Sequence, residues 1–372
     1  MLREDAASAT LVDELVRLAP RSGPVTVLKD TRVLVVRVGD VVVKAHPPGT
    51  EEGDLRRRLD AAGELPGVML APLGLHRLDS PDRLDRLDHL GHAEAPHAGR
   101  PSGRLVTIWP AGEALSPDDL ADGTMPQDAW ESGARLLAHL HASPPPAAMP
   151  PAGGPGRLVR AMVELAQVGD SAETRQIREA YRTLAEPLHV PDPRAAGRPT
   201  DDHPTAGPSS ADHRAAEHHP ARHISAGHRA AVRGPEPSRG RRHALTHGDW
   251  HLGQLVRHEG AWLLIDPDDL GVGDPAWDLA RPAAWFAAGL LDPELWHTFL
   301  SAYVGAGGIA VSPDDPWREL DLPARALTVQ LAATATVTAM RAGSALDDVA
   351  AALVSSCGRI VAAAGERRQG EG

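Results

Sequence analysis

The sequence predicts an α+β fold of two lobes, a small antiparallel β lobe at the amino terminus and a larger, mostly helical lobe after it. Three observations predict this. Residues 25–45 are dense in valine and are broken twice by turn residues, whereas apolar residues recur every three to four positions after residue 110. A third pattern, between 247 and 266, has two short apolar runs around a glycine-containing turn. The 372 residues are enough for two lobes.

Composition narrows the partners and the compartment. The net charge of −12 and the pI near 5.9 argue against nucleic acid or an anionic membrane as a partner. A lone cysteine, Cys357, excludes a disulfide framework and is interpreted as a core residue. The first 18 residues carry acidic side chains and no apolar segment, and no apolar run approaches the ~20 residues of a membrane span. We therefore expect a cytoplasmic protein without membrane contact, whose oligomeric state stays open.

The amino-terminal lobe is predicted to begin with a β meander. Within residues 25–45, the turn residues Lys29-Asp30 and Gly39-Asp40 separate three β-branched runs, and Lys44 ends the third. The other elements predicted in this lobe are a helix at 10–18, a helix at 50–62 capped by Thr50, and strands at 68–78 and 104–109.

Lysine is nearly missing from the chain. Of 38 basic residues only Lys29 and Lys44 are lysine, and there is no asparagine, a bias typical of a GC-rich genome. Because arginine replaces lysine nearly everywhere else, a retained lysine is a candidate for chemistry that a planar guanidinium does not supply.

The second lobe is predicted to be helical. Residues 127–142 repeat apolar side chains with a period near 3.6, and Asp274 followed by Pro275 is a typical helix start. Further helices are predicted at 157–168, 172–186, 275–288, 292–305, 323–341 and 346–366.

Two insertions interrupt the pattern. Residues 79–103 form a polar segment that we expect to be a mobile loop, and residues 187–243 are rich in proline, glycine and histidine and are expected to be disordered. The predicted lobes are 1–109 and 110–372. Histidines 218, 219 and 223 could bind a metal ion, although a solvated linker is the preferred interpretation.

The pattern around 247–266 predicts a site for phosphoryl transfer. Gly260 lies midway between Gln254 and Asp266, so an in-register hairpin places those two side chains opposite each other, with Cβ atoms roughly 5 Å apart. An amide oxygen and a carboxylate are hard ligands that suit Mg²⁺. Asp249, on the loop before the hairpin, could orient an attacking hydroxyl and accept its proton. The alternative is an ordinary hairpin with polar ends and with His247 in the core.

The order of motifs along the chain resembles a known family. A strand lysine, a helix glutamate, a hinge, LxxLHxxP, HGDxxxxQ, ID and GDPxxDLA follow one another as in the aminoglycoside phosphotransferase/choline kinase-like family of small-molecule kinases, which has the protein-kinase fold. The match is most specific between 246 and 280. The resemblance implies a bilobal protein-kinase-like fold with ATP and Mg²⁺ as cofactors. It also implies that residues 1–109 bind the nucleotide and that residues 110–372 hold the catalytic and acceptor sites.

The resemblance also implies roles for single residues. Asp249 matches the catalytic aspartate, and Asp266 matches the aspartate that binds Mg²⁺. Gln254 stands where the family commonly has asparagine, as in the HGDLHLGQ loop of maltokinase-type members. Lys44 matches the lysine that holds the α- and β-phosphates, and its expected partner is Glu51 or Glu52, with spacing in favour of Glu51.

Other residues are expected to support this site. Trp109 marks the hinge and is expected to line the nucleotide site, together with Lys44 and Glu51. The first hairpin turn, LKDTRV, has no glycine, so backbone amides near Asp30 or the Thr31 hydroxyl would have to contact the phosphates. The resemblance further implies that His247 braces the catalytic loop and that Asp278 anchors it from a buried position, whereas His251 is expected to be exposed.

Three functions are compatible with these residues. The first is ATP-dependent transfer of the γ-phosphoryl group to a hydroxyl of an aminoglycoside, a sugar or an amino alcohol. The second is a catalytically weak nucleotide-binding pseudokinase, favoured by the glycine-free turn and Gln254. The third is a metal sensor that uses the histidines of 187–243. The acceptor of a kinase is expected beside an acidic cluster, Asp314, Asp315, Glu319 and Asp321 with Trp317.

Overall fold

The computed structural model describes residues 2–79, 103–115, 126–184 and 243–370. The two predicted insertions lie almost wholly outside these residues, so the mobile loop, the disordered segment and the metal-sensing histidines stay predictions. The described residues form the predicted α+β arrangement, with a β-rich amino-terminal part and a helical remainder.

An antiparallel sheet of five strands forms the amino-terminal lobe. Its strands follow the order β1-β2-β3-β5-β4, so the predicted meander is confirmed. The predicted first turn at Lys29-Asp30 is wrong, because both residues pair within the first strand and the chain turns at residues 31–33. Helix α1 covers one face, where Leu15, Val36 and Val43 are fully buried. The elements are α1 (Leu2–Leu18), β1 (Val25–Asp30), β2 (Leu34–Val38), β3 (Val41–Ala45), α2 (Glu52–Gly63), β4 (Gly74–Asp79) and β5 (Gly103–Pro110).

Helix α2 packs on the other side of this lobe and differs from the prediction at its start. Its cap is Glu51, whose side chain accepts a hydrogen bond from the backbone N–H of Asp54 at 2.8 Å. The predicted cap, Thr50, instead donates its hydroxyl to the carbonyl of Pro47. The strand predicted at 68–78 begins only at β4, because Met69 pairs in an isolated bridge with Leu264 of the other lobe.

The helical lobe follows the predicted periodicity closely. Helix α3 begins and ends where the sequence predicts, and its buried face, with Trp130 and Leu137, packs against Phe299 and Tyr303. The helices of this lobe are α3 (Gln127–Ala142), α4 (Gly154–Leu165), α5 (Ala172–Arg182), α6 (Ala276–Ala288), α7 (Pro293–Gly305), α8 (Trp317–Ala342) and α9 (Asp348–Gly370).

Two small sheets flank the HGD motif. Strands β8 (Leu255–His258) and β9 (Ala261–Leu264) form the predicted hairpin, which the short strand β6 (Glu113–Ala114) extends by one strand. Strand β7 (Ala244–Thr246) pairs with β10 (Gly271–Gly273) immediately before the HGD motif. These three-residue strands are too short for a sequence period, and the sequence does not predict them.

One helical segment is apolar enough to cross a membrane by length and composition. It is Asp348–Glu366 within α9, with 19 residues, a mean hydropathy of 1.3 and 28% of its residues buried. The prediction that no apolar segment approaches the length of a span is therefore wrong for this helix. Core helices meet the same criterion, and this one packs through buried Leu353 and Cys357, where burial raises the pKa of the thiol to about 12.

Candidate active site

The HGD loop is held close to the turn after the second hairpin strand. Gly248 has a φ of 83°, and a Cβ at this position would lie 2.3 Å from the carbonyl oxygen of Asp269. Only glycine combines this left-handed backbone with such a close approach. The ring of His247 is fully buried and donates from Nε2 to the carbonyl of Ile265 at 2.8 Å, which fits the bracing role that the family resemblance implies.

Asp278 anchors the same loop from α6. Its carboxylate accepts hydrogen bonds from the backbone N–H groups of His247 (2.6 Å) and Gly248 (2.8 Å) and from Nε2 of His141 (2.9 Å). Burial by itself would raise the pKa of this carboxyl, but the hydrogen bond and charge of His141 and the other donors outweigh it and lower the pKa. Asp278 is therefore a buried, charged anchor and not a surface helix residue.

Two arginines form salt bridges with the Asp249 carboxylate, whose side chain is 13% exposed. Nη2 of Arg281 lies 3.1 Å from Oδ1, and Nη2 of Arg157 lies 2.8 Å from Oδ2. Arg157 also donates from Nη1 to Asp269 at 2.7 Å and so bridges two carboxylates. Burial raises the pKa of Asp249, and the two guanidinium charges partly offset that rise.

Neither arginine was predicted from the sequence to belong to the site. The position of Arg281 could have indicated it, because Arg281 lies three residues after Asp278 on one helix and thus shares its face. Arg157 lies on α4, far from any motif, and only the tertiary fold brings it to Asp249.

The hairpin register differs by one residue from the prediction. Glu259 and Gly260 form a two-residue turn, both with positive φ (50° and 82°), a geometry that matches the twist of paired strands. This register places Ile265 opposite Gln254, and the N–H of Ile265 donates to the carbonyl of Gln254 at 3.0 Å. The predicted in-register pair of Gln254 and Asp266 is wrong, because the turn is not centred on Gly260.

Asp266 nevertheless reaches Gln254 through an unusual backbone conformation. Its φ of 61° and ψ of 66° lie in the left-handed region, which aspartate tolerates better than most residues. The chain bends there, and Oδ2 of Asp266 comes to 3.5 Å from Nε2 of Gln254. The two side chains that the sequence predicts as metal ligands are thus neighbours, by a different route from the one predicted.

The donor set of this pair fits Mg²⁺. Asp266 supplies a carboxylate that is one-third exposed, and Gln254 supplies an amide whose oxygen can replace its nitrogen by rotation. No group of three or more acidic, histidine or cysteine side chains forms a complete metal cage among the described residues. Mg²⁺ often takes its remaining ligands from water and substrate phosphates, so two protein ligands suffice.

Lys44 is bound to the same turn, and its predicted partner is wrong. Its ammonium donates to Asp266 at 2.5 Å and to Asp268 at 2.7 Å. Burial would lower the pKa of Lys44, but the two carboxylates outweigh it and raise the pKa. Glu51 is instead occupied as the cap of α2, and Glu52 pairs with arginines. The acids nearest Lys44 come from the distant turn, which a local spacing argument does not include.

A cleft of about 310 Å³ opens beside Lys44. We call it the nucleotide cleft, because the sequence predicts a nucleotide beside this lysine. Trp109, Gln254 and Asp266 also line it, and their nucleotide and metal contacts stay predictions. Thr31 and Glu51 do not line this cleft, and Glu51 faces a different cavity beside α4. Their roles in nucleotide binding therefore stay predictions without support from this geometry.

A second cavity of about 660 Å³ lies on the Asp249 side of the loop. It adjoins the nucleotide cleft, because His251 and Gly253 line both. The acidic residues around Asp314 and Asp321 do not line it, so the predicted acceptor site beside Trp317 does not coincide with the cavity that contains Asp249. Its walls include Trp130, Trp250, Trp285, Arg157 and Arg281.

His251 stands between the two cavities as a neutral side chain. Burial, and then the nearby charges of Arg281, His247, Arg157 and Lys29, lower its pKa to about 3. Its Nδ1 accepts a hydrogen bond from the N–H of Gly253 at 3.0 Å. The expectation of an exposed loop histidine is wrong, because the side chain is half-buried between lobes.

Replacing Arg157 with alanine is expected to shift the acid limb of the pH–rate profile to higher pH. Arg157 lowers the pKa of Asp249, so its loss leaves the raising effect of burial less opposed, and the carboxylate protonates at a higher pH. Arg160→Ala is the matched control, one turn along the helix and 3.8 Å from Asp269. Equal limbs for both variants would show that Arg157 does not tune Asp249.

The phosphotransferase enzyme family has a model that matches residues 26–321. This range spans both lobes and includes every candidate residue described above. The chain belongs to this family. The predicted resemblance is thereby confirmed, as is the prediction of an enzyme that is a small-molecule phosphotransferase.

Solved structures share the fold of this phosphotransferase. A choline/ethanolamine kinase family protein from Mesorhizobium loti aligns with a TM-score of 0.50 at 17% identity, over 97% of this chain and 94% of that chain. An amicoumacin kinase in complex with AMP-PNP, Ca²⁺ and Ami gives 0.54 at 13% identity, over 97% and 96%. The apo form of a thermostable mutant of an aminoglycoside phosphotransferase gives 0.52 at 12%, over 95% and 98%.

These alignments confirm the predicted bilobal, protein-kinase-like fold of the phosphotransferase. At such low identities they concern the fold alone. No curated protein sequence matches the phosphotransferase significantly.

Proposed function

We propose that this phosphotransferase transfers the γ-phosphoryl group of ATP to a hydroxyl group of a small polar molecule, with Mg²⁺ bound to the phosphates. One observation carries the proposal. Asp249 lines the larger cavity, Lys44 and Asp266 line the smaller one, and the two cavities meet at His251 and Gly253. An acceptor hydroxyl and a terminal phosphate placed in these cavities face each other across the loop.

Each residue then has a specific task. Lys44 binds phosphate oxygens as a compact positive charge. Asp266 and Gln254 would hold Mg²⁺, whose positive charge would stabilise the phosphates during the transfer. Asp249 orients the acceptor hydroxyl and accepts its proton, and the guanidinium groups of Arg157 and Arg281 fix the direction of its carboxylate.

The relatives support the cofactors in general terms. The amicoumacin kinase of similar fold is solved with AMP-PNP and Ca²⁺, an adenine nucleotide analogue and a divalent cation. The choice of Mg²⁺ rests on the small number of protein ligands, because Mg²⁺ usually keeps several waters and substrate phosphates beside one or two protein side chains. The acceptor is proposed to be an aminoglycoside, a sugar or an amino alcohol.

The proposal is tested by ADP release from the full-length protein. ATP and Mg²⁺ are supplied with pooled sugars, pooled aminoglycosides or pooled amino alcohols, and each pool is repeated with excess EDTA. We expect acceptor-dependent ADP release from one pool, abolished by EDTA, because the metal ligands lie at the nucleotide cleft. ADP release that is equal with and without acceptor, or that EDTA leaves unchanged, would contradict the proposal.

A pseudokinase is the second candidate, and one observation favours it. The first hairpin turn has no glycine, and Thr31 does not line the nucleotide cleft. A pseudokinase would bind nucleotide in a direct titration but would release no ADP with any of the three pools.

A further inference from the structure

Both lysines of this chain line the same cavity. Among 38 basic residues only Lys29 and Lys44 are lysine, and both are at the wall of the nucleotide cleft. Lys44 has a role in the proposed function, whereas Lys29 has none. Lys29 lies on β1, at the open edge of the sheet, and its side chain is exposed.

A β-bulge turns Lys29 towards the cleft. Strand β1 pairs Val27 with Val36, and the next pair is Lys29 with Val35, so Leu28 is the extra residue. Without the bulge, the register would place Lys29 opposite Leu34, which is buried in the core beneath α1. A shift of one residue moves a side chain to the opposite face of a sheet. The bulge therefore determines that this lysine faces the nucleotide cleft.

The register places the two lysines in one row. Val35 pairs with Lys29 on one side and with Lys44 on the other, so all three side chains share a face of the sheet. Two strand spacings separate the lysine backbones by roughly 10 Å. His251 lines the same cleft as the two lysines. Lys29 and Lys44 thus flank the space in which the phosphates are proposed to lie.

We propose that Lys29 binds the terminal phosphate of the bound nucleoside triphosphate, from the side opposite Lys44. The inference rests on the proposed function, because it requires a nucleotide in this cleft. The ammonium group replaces contacts that a glycine-free turn does not supply through its backbone, since Thr31 lies outside the cleft lining. A lysine suits this role because its flexible stem carries a compact charge with three donors.

The test compares nucleotide affinities of the full-length protein and its variants by calorimetry with Mg²⁺. For Lys29→Met we expect the Kd of AMP-PNP to rise about ten- to hundredfold, the loss of one charge-assisted contact. The Kd of ADP should rise less, and that of AMP should stay unchanged, because the lost contact is to the terminal phosphate. Lys29→Arg keeps the charge and should lose less affinity for AMP-PNP than Lys29→Met.

Arg37→Met is the matched control. Arg37 lies on the same face, two residues from Val35 on β2, and does not line the cleft, so all three affinities should stay unchanged. An unchanged affinity of Lys29→Met for AMP-PNP, or equal losses for AMP-PNP and AMP, would overturn the inference.

The two proposals fail in different ways. Turnover by the wild-type enzyme together with unchanged AMP-PNP affinity in Lys29→Met refutes only the role of Lys29. If Lys29→Met loses affinity for AMP-PNP but not for AMP, and the wild-type protein turns over no acceptor pool, the role of Lys29 is supported and the kinase proposal is refuted. A wild-type protein that binds none of the three nucleotides refutes both.

Discussion

Asp249→Asn is expected to lower kcat about 10²- to 10⁴-fold, the usual contribution of a general base. The asparagine has the same shape but does not accept the proton of the acceptor hydroxyl. The Kd for nucleotide should change little, because Asp249 lines the acceptor cavity and not the nucleotide cleft. Steady-state kinetics with the best acceptor, together with nucleotide titration, measure both quantities.

The control for this variant is Asp170→Asn. Asp170, like Asp249, pairs with two arginines, here Arg175 and Arg178, but it is exposed and lies outside both cavities. Asp170→Asn therefore shows the effect of losing a paired carboxylate that is not a base, and the kcat of this variant should equal that of the wild type. A kcat of Asp249→Asn within tenfold of the wild-type value would exclude Asp249 as the base.

Asp278→Ala is expected to have the largest effect on stability, a loss of about 3–5 kcal/mol in the free energy of unfolding. The substitution leaves the N–H groups of His247 and Gly248 and the ring of His141 without their buried acceptor. Urea unfolding measures the change as a lower midpoint at an unchanged slope. Activity should fall with it, since these groups hold the loop that carries Asp249.

The same variant has a predicted pH dependence. Because the folded pKa of Asp278 is lowered, its charge stabilises the fold above the pKa of the unfolded carboxyl, and that contribution is lost as the pH falls through the folded pKa. The difference in free energy of unfolding between the wild type and Asp278→Ala should therefore become smaller in strong acid.

Asp321→Ala is the control for the loss of stability. It removes a surface ion pair with Arg325 and should change the free energy of unfolding by less than about 1 kcal/mol. Equal losses in the two variants would refute the anchoring role of Asp278.

Local patterns predicted the elements of the fold well. The valine-rich meander and helix α3 follow directly from periodicity, because side-chain alternation and the 3.6-residue repeat are properties of the chain itself. The approach of Gln254 and Asp266 to each other was also predictable, since a hairpin brings its own ends together. The register was not, because the two-residue turn depends on Glu259 adopting a positive φ.

Contacts between distant segments were the part that the sequence could not supply. Lys44 was expected to pair with a glutamate on the next helix, but its partners are Asp266 and Asp268, more than two hundred residues later. Arg157 reaches Asp249 from α4, which has no motif to mark it. Ion pairs of this kind depend on how segments far apart in the chain pack together, and spacing along the chain carries no information about that packing.

The turn after β9 links the proposed binding of a divalent cation to the proposed binding of a nucleotide. Oδ1 of Asp266 is the carboxylate oxygen closest to the Lys44 ammonium, whereas Oδ2 is the one beside Gln254. A divalent cation held by Asp266 and Gln254 would therefore compete with the lysine for the charge of one carboxylate. Once a triphosphate arrives, the displaced ammonium acquires new anionic partners, which lowers the cost of that exchange. Metal and nucleotide should therefore each strengthen the binding of the other by the same factor, as thermodynamic linkage requires.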